Sequence, residues 1–117
     1  MKNKILQNEL VSIFGDRIST SESLRSNYAR GEDIFDPILS QAVVFPNNNE
    51  EISKIVNLCN LHKVPIVPFG TGTSLEGHAV GNENGITVSL ENMNKVLEVF
   101  PEDFDCRVQA FVTRKQL

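Results

Sequence analysis

The sequence predicts an α/β fold (of α+β character): a short parallel βαβ sheet flanked by helices, followed by the start of a second sheet. Three observations carry that expectation. Gln41–Phe45 and Val64–Val67 are short β-branched runs on either side of a stretch with apolar residues at helical spacing. Strand, amphipathic helix and strand with little loop between them make a βαβ unit, which crosses over right-handed and leaves its strands parallel. Five glycines then fall within the sixteen residues Gly70–Gly85, directly after the second strand. Loops at that end of parallel strands are where open α/β sheets hold ligands.

Bulk composition narrows the function classes. A chain of 117 residues, 40% hydrophobic and 22% charged, is one small globular domain. Its formal net charge of −4 excludes the basic face that nucleic-acid binding needs. Cys59 and Cys106 stand alone, without paired spacing, which argues against a metal site or disulfide framework and for reduced thiols. The start, MKNKILQNEL, has neither the apolar run of a signal peptide nor the Arg-rich character of a transit peptide. No window approaches a membrane-spanning length. A cytoplasmic location is the expectation, with peripheral membrane association left open.

Taken in order, Leu6, Leu10, Ile13 and Phe14 give helical spacing over Lys4–Phe14, and Gly15 stops the helix. Ser19-Thr20-Ser21 supplies caps for a second short helix to about Asn27. Residues 28–40 read as a polar linker laid over a surface, with Pro37 favouring extended chain. Asn47–Asn49 cap a helix over about 50–63, in which Ile52, Ile55, Val56 and Cys59 mark one buried stripe. Cys59 is expected there as a small core residue. Strands follow at about 64–68 and 86–90, and the parallel sheet of 41–45, 64–68 and 86–90 is expected under the 50–63 helix and the N-terminal helices. A tight turn at ENMNK leads into 96–100 and 106–111, the beginning of an incomplete second sheet with an exposed edge. Such an unpaired apolar edge invites aggregation.

Thr113 and Gln116 have the spacing of a capping box, which announces a helix. One turn cannot sustain a helix in water, because nucleation is costly. A truncated sequence is the simplest expectation, and a chance T-x-x-Q the alternative.

The glycine stretch PFGTGTSLEGHAVG carries the chemistry. Glycine accepts positive φ and lets backbone approach a ligand, and successive free N–H groups form anion-binding concavities. With hydroxyls at Thr71, Thr73 and Ser74 and no lysine, the loop suits a phosphate diester held by dipoles. Two known phosphate motifs fail. The dinucleotide fingerprint G-x-G-x-x-G begins at Gly70 and Gly72 but meets Leu75 where glycine is required. The P-loop spacing of Gly72 and Gly77 is followed by His78-Ala79 instead of lysine and a hydroxyl residue.

From about Pro37 to Leu117 the chain resembles the start of the PCMH-type FAD-binding domain of the vanillyl-alcohol-oxidase family. The resemblance is to the branch with cytochrome-linked D-lactate dehydrogenases and glycolate oxidase FAD subunits. It rests on four pieces in order, QAVVFPNNNEEISKIV, VPIVPFGTGTSLEGHAV, GITVSLENMNKVLEV and EDFDCRVQAFVTRKQL. Residues 1–36 would then be a helical lead-in, and 37–117 a PCMH-type domain incomplete at its C-terminus. The resemblance implies a noncovalent FAD whose pyrophosphate is wrapped by Gly70, Thr71, Gly72, Thr73, Ser74, Leu75 and Gly77. Pro68 sets the approach, and His78 contributes backbone or a hydrogen bond. One departure stands out: Phe111 occupies a position where the family usually has glycine.

The resemblance further implies that the full-length parent is an FAD-dependent 2-hydroxyacid dehydrogenase, oxidising D-lactate or glycolate by hydride transfer to flavin. No catalytic residue and no metal ligand is assigned within these residues. The small 2-hydroxy acid is a partner of that parent only. This portion by itself is expected to bind flavin weakly or not at all. A noncatalytic nucleotide-binding or interaction module and a nonfunctional gene remnant are the alternatives.

Overall fold

A computed structural model describes all residues, 1–117. Its elements are α1 (Lys4–Phe14), β1 (Ile18–Ser19), α2 (Glu22–Asn27), β2 (Val43–Val44) and α3 (Asn49–Leu61). They are followed by β3 (Ile66–Phe69), β4 (Ile86–Ser89), β5 (Val96–Phe100) and β6 (Asp105–Val108). The first sheet has the order β1-β2-β4-β3. Both expected strands of the βαβ unit are present and lie in one sheet. They are not neighbours, because β4 inserts between them and pairs in parallel with each, Val43 opposite Thr87 and Ile66 opposite Ile86. All four β4 residues are buried.

One face of this sheet packs on α1 and α3. Leu6, Leu10 and Phe14 from α1 meet Ile55 and Cys59 from α3 over Ala42, Val44, Ile86 and Val88. Each large apolar side chain so buried contributes roughly 1.5–3 kcal/mol relative to exposure. Cys59 belongs to this core, and burial pushes its thiol up to about 11, which keeps it protonated and inert. Val56 departs from the expected stripe and is exposed, while Leu58 packs against the core instead. The helix is rotated so that its buried arc runs through Ile55, Leu58 and Cys59. The short α2 buries no residue and does not cover the sheet.

Strand β1 was not legible in the sequence. Ser19, expected among the caps of α2, instead pairs antiparallel with Val43, and Phe45 N–H donates to Arg17 O at 2.9 Å. A two-residue edge strand has too few residues for any alternation to show.

Helix α3 begins as expected. The Asn48 side chain accepts from Glu51 N–H at 2.9 Å. It ends two residues earlier than its pattern suggests, in a Schellman motif. Lys63 N–H donates to Asn60 O and Val64 N–H to Cys59 O, with Lys63 at φ +55°. Left-handed backbone costs an L-residue about 1–2 kcal/mol, which glycine avoids at an entropic cost of roughly half that. Lys63→Gly is therefore expected to raise stability by about 0.5–1 kcal/mol in a denaturant titration. A loss of stability would mean that the lysine stem makes compensating contacts.

Residues 28–40 were expected as a surface linker. The segment does run along the surface, but it also shields the second face of the sheet. Ala29 and Ser40 are buried, and Ser40 Oγ accepts from Thr87 Oγ1 at 2.8 Å and from Asn82 N–H at 3.0 Å. Tyr28 stands edge-on to Phe45 and Phe69. Burial, then the nearby Glu91 carboxylate, raises its phenol pKa.

Strands β5 and β6 form a separate antiparallel ribbon, with Val99 opposite Cys106. The second strand stops at Val108, short of the expected 111, although Gln109 and Phe111 amides still donate to Lys95 O and Met93 O. Leu97, Val99 and Phe104 are exposed, in accord with the expected open edge. Phe111 is half-buried and takes no place in the core cluster. Thr113 Oγ1 accepts from Gln116 N–H at 3.2 Å, one half of a capping box. The Gln116 side chain turns away to Asn94 O, so only a turn forms. No helix is long and apolar enough to cross a membrane.

Candidate functional site

The loop from Gly70 to Ala79 leaves the carboxyl end of β3, at the sheet's outer edge opposite β1. Two glycines set its path. Gly72 (φ +74°) and Gly77 (φ +79°) occupy left-handed backbone that other residues adopt only under strain. At Gly72 the space a Cβ would need is already filled, since Phe69 Cζ would lie 2.7 Å from it. Gly70 differs: its φ is not positive, and an added Cβ would meet nothing within 4 Å.

The loop encloses an open cleft of about 300 Å³ lined by Pro68, Gly70, Thr71, Gly72, Thr73, Ser74, His78 and Ala79. No cationic side chain lines it. Thr71 and Thr73 hydroxyls lie 3.2 Å apart, and Ser74 Oγ is 3.2 Å from His78 Nδ1. Ser74 Oγ also accepts from Glu76 N–H at 3.4 Å. From Gly70 to Ala79, Glu76 is the only residue whose backbone amide has a hydrogen-bond partner within the protein. Six of these ten residues are exposed, so most of their amides are open to solvent. A run of unpaired ones along an open cleft is a row of donors satisfied by water or by a ligand. Their partial positive charges favour an anion.

Seven of the nine residues expected at the site line this cleft. Leu75 and Gly77 do not. Leu75 is 69% exposed and outside the cleft, and Gly77 lines a neighbouring groove with Phe35, Asp36, Ile38, Glu76 and Val80. Ala79 joins the lining unanticipated, a small residue with no sequence signal of its own. Phe35 and Gly31, from the supposed linker, press on the loop from behind. An added Cβ on Gly31 would lie 2.8 Å from Ser74 O, and one on Gly77 would lie 2.9 Å from the Phe35 ring. Neither shows any periodicity or motif that could have marked it.

Residues 40–117 match the FAD binding domain family model. Among curated proteins, a probable mitochondrial D-lactate dehydrogenase of Danio rerio is 38% identical over 107 residues, 91% of this chain and 22% of that protein. The glycolate oxidase subunit GlcD of Bacillus subtilis is 33% identical over 113 residues, 96% of this chain and 24% of that protein. The chain thus spans under a quarter of the length of these relatives. Among solved structures, an alkyldihydroxyacetonephosphate synthase superposes with a TM-score of 0.89 at 20% identity, over 99% of this chain and 24% of that one. A p-cresol methylhydroxylase gives 0.83 at 24% identity, over 98% and 23%. These two show the fold, and the fold agrees with the PCMH-type expectation. With the family match covering two thirds of its residues, the chain belongs to the FAD binding domain family.

Proposed function

We propose that this chain supplies the pyrophosphate-binding loop of an FAD-dependent dehydrogenase acting on a small 2-hydroxy acid. The observation that carries the reading is the set of unpaired amides from Gly70 to Ser74, in a cleft lined by no lysine or arginine. A bridging pyrophosphate needs several donors spread along its length, and such a loop offers them without the fixed charge of a P-loop lysine. Amides of Gly70, Thr71, Gly72, Thr73 and Ser74, with the three hydroxyls, hold the phosphates. Pro68 and His78 line the same cleft, and Gly77, outside it, sets the path of the loop at φ +79°.

FAD, when bound, supplies the hydride acceptor. The residues of this chain bind and orient it, and none of them is assigned a proton-transfer role. The substrate class follows from the similarity to D-lactate dehydrogenases and a glycolate oxidase subunit. His78 is tied to Ser74 Oγ, a contact that suits a loop-stabilising residue and a noncovalent flavin.

A charge-assisted amide contact is worth about 1.5–3 kcal/mol before ordering costs, so this loop by itself should bind FAD reversibly and weakly. FAD titrated into the purified chain is expected to saturate, to be displaced by inorganic pyrophosphate, and to be released completely by acid precipitation. Saturation unaffected by pyrophosphate would place the cofactor elsewhere. Flavin retained in the acid pellet would rule out noncovalent attachment.

A further inference from the structure

We propose that the lead-in segment Tyr28–Phe35, outside the residues matched by the family, is a positioning strap that holds the anion-binding loop in its binding conformation. This rests on the reading of Gly70–Ala79 as a pyrophosphate site. Within the loop only side-chain contacts (Thr71 with Thr73, and Ser74 with His78 and Glu76 N–H) and the turn closed by Val80 N–H on Gly77 O hold its shape, with no backbone ladder along it. The rest of its order must come from what lies behind it.

Three contacts meet there. The strap backbone at Gly31 lies directly against the loop's carbonyls, since an added Cβ would stand 2.8 Å from Ser74 O and 3.1 Å from Gly72 O. The Phe35 ring covers Gly77, one of the two positive-φ hinges, with ring carbons 2.9 Å from where its Cβ would be. Tyr28 stands edge-on to Phe69 with ring centroids 5.0 Å apart, and Phe69 fills the space over Gly72, the other hinge. Each glycine hinge is thus backed by an aromatic ring.

The strap is itself held in shape. Asp33 accepts from Gly31 N–H at 3.3 Å and Phe35 N–H at 3.0 Å. Arg30 Nη1 donates to Phe35 O at 3.0 Å, and Ala29 O accepts from Gly81 N–H at 2.9 Å, just past the loop. Phe35 is 49% exposed, so its ring adds less burial than a core residue would. A ring half in water and set on a hinge glycine is better placed to restrict the loop than to stabilise the fold.

Apparent affinity falls by the fraction of time a site is competent, so a loop competent one-tenth of the time binds about ten-fold more weakly. Phe35→Ala in the full chain is expected to weaken pyrophosphate binding on the order of ten-fold. It should also raise the amide mobility of Gly70–Ala79 by NMR relaxation and hardly move Tm. Phe35→Leu should restore most of the affinity, and Gly31→Ala, pressing on the loop from the strap side, should weaken binding with the core still folded. Unchanged loop mobility and affinity in Phe35→Ala would overturn the strap. Wild-type loop amides that do not respond to pyrophosphate would overturn the anion-site reading instead. Greater loop mobility in Phe35→Ala would support the strap even then.

Discussion

Gly72→Ala is expected to weaken FAD binding at least about ten-fold, while Gly70→Ala leaves it within a few-fold. The two glycines are two residues apart and look alike in the sequence. At Gly72 a methyl group meets both obstacles at once. The backbone sits at φ +74°, and the Phe69 ring lies 2.7 Å away at Cζ and 3.0 Å at Cε1. Phe69 is only 8% exposed and is backed by Tyr28, so it has little room to retreat. The loop must give way, carrying its amides out of register with the ligand. Positive φ by itself costs an L-residue about 1–2 kcal/mol, and 1.4 kcal/mol is a factor of ten in affinity. Gly70 has neither obstacle. Parallel FAD titrations of the two variants check this, and equal losses would mean that Gly72 does not sit against the Phe69 ring.

Gly81→Ala should instead unfold the back of the site. An added Cβ would stand 2.0 Å from Ile38 O and 2.9 Å from Ser40 N, both backbone atoms that cannot swing aside. The same glycine donates its amide to Ala29 O, and Ser40 beside it accepts from the buried Thr87 hydroxyl of β4 and from the loop amide of Asn82. Relieving the clash means parting residues 38–40 from 81–82. Overpacking of well-filled sites costs typically 1–3 kcal/mol and sometimes more, and the upper end is expected here. For a domain of this size that is a fall in Tm of roughly 10 °C or more, readable in a thermal melt. Gly70→Ala again serves as the control that should melt like wild type. A Gly81→Ala melt within a degree or two of wild type would contradict the close approach of these segments.

What was legible in the sequence was whatever a local pattern encodes. The apolar spacing of Leu6, Leu10 and Phe14, the Asn48 cap, the β-branched runs and the cluster of glycines each act within a few residues. Helices α1 and α3, three of the first sheet's strands and the location of the loop could therefore be read directly. The seven cleft-lining residues were legible for the same reason, since they are contiguous or nearly so.

The tertiary structure alone decided what depends on neighbours distant in the chain. Strand β4 lies between β2 and β3 because it is buried on both faces and pairs with each, a choice invisible to periodicity. The face of α3 was set by its fit against α1, which turned Val56 outward and Leu58 inward. The glycines of the loop were sorted into hinge and bystander by rings at Phe69 and Phe35. The polar segment around Gly31 was brought against carbonyls some forty residues on in the chain. Local propensity is a property of short windows of sequence, whereas close approach depends on the whole folded chain. For that reason the position of the glycine loop could be read from its residues, and the distant segments that pack against it could not.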